Sequence, residues 1–274
     1  MKYWSIKTFL YGQTQSPRAA LSYGLDPELS LPGPYLGFLL QNGTENILVD
    51  TGVSDRIASS GKGWSGNQIT GGSKFVLEEL EKAGLVPDDI DTVIYTHLHN
   101  DHAGNVTMFP NARTIFQKDE YINLLNPLPT QCIRKDYELE VADDLKQLKD
   151  ISMVNGDFDL HNGIRLIKTP GHSLGSQAIL VPTEDGSRII TGDMPHKMYN
   201  LFPQMDYYMM PDGSHHPITP APESWGRYLP NSLIYDHYAF YDSMDKLRLL
   251  APTYEPKCFL PGHDWSCMIR YPNK

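Results

Sequence analysis

Cysteine is scarce in this chain of 274 residues, which has only Cys132, Cys258 and Cys267. A small, odd number of cysteines does not suggest a disulfide framework, the device by which small secreted domains compensate for a limited core. The sequence therefore predicts a protein of a reducing compartment, and the cytoplasm is the expected location.

Basic clusters and long apolar runs are also missing. The net charge is −10, and the 23 lysines and arginines form no block. Because phosphate binding needs clustered basic residues, a nucleic-acid partner is not expected. No apolar run reaches the roughly 18–20 residues of a membrane span. An acidic surface also disfavours anionic membranes, so a membrane partner is not expected either.

What is present is the patterning of a folded α/β protein, with 40% hydrophobic residues. Residues 34–52 and 176–193 each hold two apolar runs on either side of a turn dipeptide, Asn42-Gly43 in the first and Asp185-Gly186 in the second. Such a pattern predicts a β-hairpin. The two β-rich halves, with helical patterns between strands, predict two packed sheets with helices outside.

Two segments between the strands have helical spacing. Residues 73–85 predict a helix with Ser73 as its N-cap and Gly84 as its stop, preceded by a loop over 55–72. Residues 245–264 predict a helix that is followed by a strand. No low-complexity linker divides the chain, so we expect one domain over residues 1–274.

The most unusual stretch is THLHNDHAGN (96–105), which holds three of the ten histidines. His97 and His99 follow a short β-branched strand, and side chains at i and i+2 of extended chain project to the same side. Both imidazoles can therefore meet one metal ion. Asp101 and His102 come after the chain turns, and they suit a second ion beside the first, an arrangement used in metal-assisted hydrolysis.

Three further ligand-type residues occur in the same local setting. His172 follows a strand and Pro170-Gly171, Asp193 follows a strand and Gly192, and His263 follows a strand and Pro261-Gly262. Functional side chains commonly lie on loops that a rigid sheet holds in place. Each of the three would more often be an ordinary turn residue if it stood alone, and their shared context favours metal binding.

The motifs THLHNDHAG, TPGHS, TGD and PGHD, in this order, resemble the metallo-β-lactamase superfamily, and the likeness extends from about residue 34 to the C-terminus. It implies an αβ/βα sandwich of two mixed β-sheets flanked by helices, with metal ions at the edge of the sheets. It also implies two divalent ions, most often Zn²⁺, with Fe, Mn or Co as alternatives. The implied ligands are His97, His99 and His172 for one ion, Asp101, His102 and His263 for the other, and Asp193 for both.

Within the superfamily, the chain most resembles the N-acyl homoserine lactonases. The implied function is a dinuclear hydrolase that opens a lactone ring by attack of a hydroxide held between the ions, with Asp101, Asp193 and His196 as catalytic residues. Those lactonases have a substrate-contacting tyrosine three residues after the bridging aspartate. Here that position is His196, so His196 and Tyr199, the next tyrosine, are the expected substrate contacts.

Other functions of the same fold stay open. They are hydrolysis of another carboxylic ester, a thioester or a phosphotriester, redox chemistry at a single iron, and metal-stabilised binding without turnover. No cysteine lies in a ligand motif, which argues against the β-lactamases that use cysteine in the second metal site. The expected partner is a small apolar or ring-bearing lactone or ester.

The segment 196–241 is rich in aromatic residues and methionine, with seven of the sixteen tyrosines and four of the ten methionines. Such side chains can line an adaptable apolar pocket, or they can form a packed lid or a dimer surface. The sequence does not decide between these, and it leaves a homodimer open. His215 and His216 lie in a Pro/Gly/Ser loop and are expected at the surface.

Overall fold

The computed structural model describes residues 3–273. Seven strands form the larger sheet, in the spatial order β4-β1-β2-β3-β5-β6-β7. Its first strands are antiparallel, and β3, β5, β6 and β7 run parallel to one another. The strands are β1 (Ser5–Pro17), β2 (Ser30–Gln41), β3 (Asn46–Val49), β4 (Ile69–Thr70), β5 (Thr92–Ile94), β6 (Arg113–Gln117) and β7 (Ile151–Val154).

The second half of the chain supplies a smaller sheet and a separate hairpin. The strands are β8 (Phe158–Asp159), β9 (Arg165–Lys168), β10 (Gln177–Thr183), β11 (Gly186–Gly192), β12 (Tyr207–Met209), β13 (His215–Pro217) and β14 (Phe259–Pro261). The sheet has the order β14-β11-β10-β9-β8, with β11 and β14 parallel, while β12 and β13 pair only with each other. Both predicted hairpins, β2–β3 and β10–β11, are present.

Short helices connect the strands. They are α1 (Arg18–Leu21), α2 (Asp55–Ala58), α3 (Ser73–Lys82), α4 (Lys118–Leu125), α5 (Pro129–Arg134), α6 (Val141–Leu145), α7 (Met198–Leu201), α8 (His237–Leu250) and α9 (Ser266–Arg270). Single 3-10 turns lie at Trp64–Gly66, Pro87–Asp89, Val106–Met108, Glu223–Trp225 and Pro256–Cys258. Within residues 3–273, no helix is both long and apolar enough to cross a membrane.

The layers follow from which face of each strand is apolar. Phe38, Val49 and Ile94 of the larger sheet pack against Ile179 and other residues of the smaller sheet, forming the core between the sheets. The outer face of the larger sheet packs on α3 and α6, and that of the smaller sheet packs on α8. This is the predicted αβ/βα sandwich of two mixed sheets.

Two helix starts differ from the prediction because distant contacts decide them. The N-cap of α3 is Gly72 rather than Ser73, since the Ser73 amide and hydroxyl both donate to the Asp55 carboxylate, at 2.8 and 2.6 Å. The loop predicted over 55–72 contains α2. The last long helix begins at His237 rather than near residue 245, because the Asp236 carboxylate accepts the Ala239 amide at its N-terminus.

The segment 196–241 packs against the first strands, and several of its tyrosines and methionines also line a cavity of about 250 Å³ away from the histidine cluster. Tyr199 and Tyr208 are buried in a cluster with Leu21, Leu31 and Trp265. The segment therefore both packs on the fold and lines a cavity, and only His196 and Leu233 of it line the cavity of the site below.

Arg18 ties this segment to the N-terminal hairpin. It is 1% exposed, its Nε donates to Asp26 at 2.7 Å, and its Nη2 donates to the Thr219 carbonyl at 2.7 Å. The guanidinium also lies 4.4 Å from the centre of the Tyr199 ring. Removing a buried cation that is paired in this way, or removing its partners, is expected to destabilise the fold.

We expect Arg18→Met to lower the free energy of unfolding by about 3 kcal/mol, because the Asp26 carboxylate loses its ion pair with Arg18 and the Thr219 carbonyl loses the Arg18 donor. Urea unfolding measures this change. Arg165→Met, at an exposed position on β9, is the matched control and is expected to change stability by less than about 0.5 kcal/mol. Equal effects of the two substitutions would contradict the structural role of Arg18.

Candidate metal centre

The ligand-type residues of distant motifs meet where strands of the two sheets end. β5 leads into His97, β9 leads into His172, β11 leads into Asp193, and β14 leads into His263. Because β11 and β14 are parallel neighbours, their carboxyl ends reach the same edge. All seven predicted ligands lie in this cluster: His97, His99, Asp101, His102, His172, Asp193 and His263.

Glycine at position 192 allows the two sheets to approach at this edge. Gly192 has φ +56°, and a Cβ there would lie 2.6 Å from the Cβ of Thr96. A side chain would therefore displace Thr96, whose amide and hydroxyl both donate to the Asp50 carboxylate at 2.8 Å. Packing therefore requires glycine at position 192, directly before Asp193.

A buried glutamate holds the first histidine loop against the His172 loop. The Glu120 carboxylate accepts the Leu98 amide at 3.0 Å, between His97 and His99, and the Gly175 amide at 2.9 Å. It also accepts the hydroxyls of Tyr137 and Ser173, at 2.7 and 2.6 Å. Sequence reasoning missed Glu120, which follows β6 in a helical pattern that reads as an ordinary surface helix.

Three histidine nitrogens form the first group. His172 Nε2 lies 3.2 Å from His97 Nε2 and 3.0 Å from His99 Nδ1. Two ligand atoms that are each 2.0–2.1 Å from a tetrahedral ion are about 3.3–3.4 Å apart. The observed distances between the nitrogens are slightly shorter than this, so the three nitrogens have about the spacing of ligands that share one cation.

The second group contains Asp101, His102 and His263. The Nε2 atoms of the two histidines are 3.3 Å apart, and the Asp101 oxygens lie 3.7 Å from His102 Nε2 and 3.5 Å from His263 Nε2. This group also has the spacing of ligands around one cation.

Asp193 lies between the groups and faces both. Its Oδ1 is 2.9 Å from His263 Nε2 and 3.2 Å from His102 Nε2, and its Oδ2 is 3.4 Å from His172 Nε2. The buried Oδ1 accepts no hydrogen bond within the described chain. Each carboxylate oxygen is thus directed towards a different group of histidines.

The hydrogen bonds of the histidine Nδ1 atoms explain why the Nε2 atoms in the cluster need a cation. The Nδ1 atoms of His102, His172 and His263 lie 2.9, 3.0 and 2.8 Å from acceptor oxygens of Asp50, Leu233 and Pro34. In the neutral ring each Nδ1 therefore carries the proton, which leaves Nε2 with a lone pair. Lone pairs of imidazole and carboxylate that converge in a buried space repel one another unless a cation lies between them. The donor set therefore fits metal ions.

The pKa shifts of the histidines in the cluster are also those expected of metal ligands. Burial lowers the pKa of His97, His99 and His172, aided by the neighbouring histidines, so these rings are neutral as metal ligands must be. Burial would also lower the pKa of His102, but the carboxylates of Asp193, Asp101 and Asp50 outweigh it and raise that pKa. A metal ion would replace the proton that this negative charge attracts.

His196 lies beside the cluster. Its Nδ1 is 2.9 Å from Asp193 Oδ2, and its ring stacks on His263 with 4.2 Å between ring centres. Burial lowers the pKa of His196 to about 3, so the ring is neutral at physiological pH. The bond to a carboxylate places the single proton on Nδ1, which leaves Nε2 as an acceptor.

A cavity of about 30 Å³ opens beside the cluster. Among the predicted site residues, its lining includes His99, Asp101, His172, Asp193, His196 and His263. Sequence reasoning missed the remaining lining residues, which come from loops and strands far apart in the chain: Thr14, Ser16, Tyr35, Trp64, Asn100, Asp136 and Leu233.

Tyr199 does not line this cavity. The first turn of α7 turns its ring away, beneath the guanidinium of Arg18 and towards Tyr208. The position of Tyr199 therefore does not support the predicted substrate contact. Among the described residues, the tyrosine that lines the cavity is Tyr35 of β2, which lies edge-on to His263 with 5.7 Å between ring centres.

Sequence comparison finds relatives among proteins named N-acyl homoserine lactonases. The chain is 30% identical to the N-acyl homoserine lactonase of Bacillus thuringiensis over 198 residues, which cover 69% of this chain and 75% of that one. An N-acyl homoserine lactonase of Agrobacterium fabrum is 29% identical over 178 residues, covering 59% of this chain and 64% of that one.

Solved structures give the same result over almost the whole chain. An N-acyl homoserine lactone hydrolase, with the product N-hexanoyl-L-homoserine bound at its catalytic metal centre, superposes with a TM-score of 0.73 at 25% identity, covering 96% of this chain and 94% of that one. A dizinc quorum-quenching lactonase shares the fold, with a TM-score of 0.64 at 18% identity and coverage of 96% and 91%.

The sequence profile described as the metallo-beta-lactamase superfamily matches residues 32–263, which include every residue of the histidine and aspartate cluster. The chain therefore belongs to the metallo-beta-lactamase superfamily, and it is a hydrolase that resembles the N-acyl homoserine lactonases.

Proposed function

We propose that this chain is a dinuclear metal-dependent lactonase. The observation that carries the proposal is the position of Asp193, whose two oxygens face two separate groups of histidines. His97, His99 and His172 would hold one ion, Asp101, His102 and His263 would hold the other, and Asp193 would contact both. Mixed imidazole and carboxylate ligands suit Zn²⁺, with Fe, Mn or Co as alternatives.

The bound ions would supply Lewis acidity and lower the pKa of a coordinated water. The protein's own residues provide the surroundings for this chemistry. Asp50 and two backbone carbonyls fix the histidine tautomers, and Asp193 supplies negative charge at the centre. His196 donates a hydrogen bond from Nδ1 to Asp193, so its role would be to orient that carboxylate and to accept a hydrogen bond at Nε2.

Substitutions at His196 separate these two roles. His196→Asn keeps a donor near the position of Nδ1 but lacks the Nε2 lone pair, and His196→Leu lacks both. If the hydrogen bond at Nε2 matters, both variants are expected to lose about tenfold in kcat while binding two metal ions per chain, because one hydrogen bond is worth about 1 kcal/mol or slightly more. If only orientation matters, the asparagine variant keeps most of the activity. Unchanged kcat in the leucine variant would contradict a catalytic role for His196.

The cavity lining favours a small, uncharged substrate. Tyr35, Trp64 and Leu233 supply apolar surface, while the lining contains no lysine or arginine within the described chain. A phosphate-bearing substrate would lack a cationic contact other than the ions themselves. The lactone substrate is supported by the relatives, since the similar enzymes are named for lactones.

The remaining predictions about partners and location stay predictions. The segment 196–241 is compatible with a homodimer, and the charge pattern argues against nucleic acid as a partner. The cytoplasmic location rests on the scarcity of cysteine.

A pH-indicator assay of the zinc-loaded protein tests the proposal. The panel includes γ- and δ-lactones, short- and long-chain acyl homoserine lactones, an aromatic lactone, a thioester and a phosphotriester. Proton release from lactones that stops on chelation is the expected result. If the thioester or phosphotriester is hydrolysed and no lactone is, the lactonase proposal is wrong and the alternative hydrolase is supported. No turnover of any substrate would contradict both proposals.

A further inference from the structure

Lys197 is a lysine that is buried beside the metal centre without an ion pair. It directly follows His196 and is only 2% exposed, and no carboxylate oxygen of residues 3–273 lies within ion-pair distance of its ammonium. The carboxylates of Asp264 and Asp193 attract it from a greater distance. Lysine is almost never fully buried unless it is paired, because removing its charge from water costs free energy. The position of Lys197 therefore indicates a role that depends on its ammonium group.

The ammonium of Lys197 contacts the backbone of a predicted metal ligand. Its Nζ donates to the carbonyl oxygen of His263, and it also donates to the Tyr208 hydroxyl at 3.1 Å. The Tyr208 hydroxyl in turn donates to the Pro32 carbonyl at 2.8 Å. Hydrogen bonds from a charged donor are stronger than those between neutral groups. The bond from Lys197 therefore restrains the peptide group of His263.

The start of β2 also holds the ring of His263. The Nδ1 atom of His263 lies 2.8 Å from the carbonyl oxygen of Pro34, two residues after Pro32. The ring is thus attached to β2 directly, and the backbone carbonyl of His263 is attached to the same segment through Lys197 and Tyr208. A histidine that is held at both its ring and its backbone has a fixed direction for Nε2, the atom that faces the second ligand group.

Glycine between the two prolines leaves room for the ammonium. A Cβ at Gly33 would lie 2.9 Å from Lys197 Nζ, whereas the next nearest side chain, that of Thr14, would be 3.6 Å away. Alanine at this position would therefore displace mainly the flexible end of the Lys197 side chain. The substitution offers a way to disturb the bond to His263 while every ligand and Lys197 itself are kept.

We propose that Lys197 is a positioning residue of the metal centre, whose ammonium holds the His263 carbonyl and so keeps Nε2 of His263 directed at the second ligand group. This inference rests on the proposed function, since it assumes that two metal ions bind. It predicts that Lys197 strengthens binding of the ion held by the second group. The ion held by the first group, whose histidines Lys197 does not contact, should be affected little.

Zinc titration in competition with a chelator measures the affinity for each ion. Lys197→Met is expected to weaken binding of one ion about tenfold or more, the usual effect of losing an outer contact to a ligand, and to leave the other ion unchanged. His263→Ala identifies which affinity belongs to the second group. Lys246→Met is the matched control, because Lys246 also donates to a backbone carbonyl, that of Lys168 at 3.1 Å, which belongs to no ligand. Both affinities should stay as they are in this control.

Gly33→Ala tests the same bond if Lys197→Met does not fold. It is expected to weaken binding of the same ion about threefold, because the hydrogen bond is strained rather than removed. Urea unfolding of the metal-free proteins measures any general loss of structure. Unchanged zinc affinities in the folded variants, or an equal loss for both ions, would overturn the positioning role of Lys197.

The parent protein in the same titration separates this inference from the proposed function. A parent protein that binds one zinc ion per chain would contradict the dinuclear site, and this inference with it. If the parent protein binds two ions and hydrolyses no lactone, the proposed substrate is wrong, while the loss of affinity in Lys197→Met still supports the role of Lys197. Two ions with equal affinities in the parent and Lys197→Met proteins would overturn only this role.

Discussion

Replacing Asp193 by alanine is expected to remove at least one metal ion and nearly all hydrolytic activity. The side chain is buried, and its two oxygens lie 2.9–3.4 Å from histidine nitrogens of both groups. Loss of an outer contact to a metal ligand typically costs 10–100-fold in affinity or activity. Loss of a residue that would itself contact both ions should lower kcat/KM by more than about 100-fold. Elemental analysis and the lactone assay measure the two effects.

The control for this substitution is Asp242→Ala, which removes a carboxylate from an exposed position of α8. It changes the net charge equally and should leave metal content and activity as they are. An Asp193→Ala protein that keeps two ions per chain and full activity would refute the two-metal mechanism.

Asp50→Asn is expected to weaken metal binding by about 10–100-fold, the usual effect of losing the partner of a histidine ligand. Asp50 Oδ2 lies 2.9 Å from His102 Nδ1 and is 1% exposed. An amide nitrogen at that position would favour an unprotonated Nδ1. The proton would then move to Nε2, the nitrogen that faces Asp193 and His263. Competition with a zinc chelator measures the change in affinity.

Asp89→Asn provides a matched comparison, because the Asp89 carboxylate also accepts a hydrogen bond, from the Val86 amide at 2.8 Å, but is exposed and away from the site. It should bind zinc as the parent protein does. Unfolding curves of the Asp50 variant distinguish weaker metal binding from general loss of structure. Unchanged zinc affinity in a folded Asp50→Asn protein would show that Asp50 does not set the His102 tautomer.

The ligand cluster could be predicted from the sequence because each ligand carries a local signal. His97 and His99 are two apart after a strand, and His172 and His263 each follow Pro-Gly after a strand. These local patterns also predicted both hairpins and the packed sheets. The extent of the domain over residues 1–274 stays a prediction, and residues 1, 2 and 274 lie outside the described part of the chain.

The rest of the site depends on contacts between distant segments, which local patterns do not contain. Tyr35, Trp64 and Asp136 come from a strand, a glycine-rich loop and the end of a helix, and only folding brings them to one cavity. An isolated tryptophan in that loop was the one available signal. Tyr199 shows the converse. It is close to Asp193 in sequence, but its ring lies beneath the Arg18 guanidinium and outside the cavity.

The metal content of the protein tests the central proposal most directly. After zinc loading and removal of free metal, elemental analysis should give two zinc ions per chain, and activity on the preferred lactone should rise in proportion to the second ion. One ion per chain with full activity would contradict the dinuclear site. It would leave Asp193 as a ligand of a single metal.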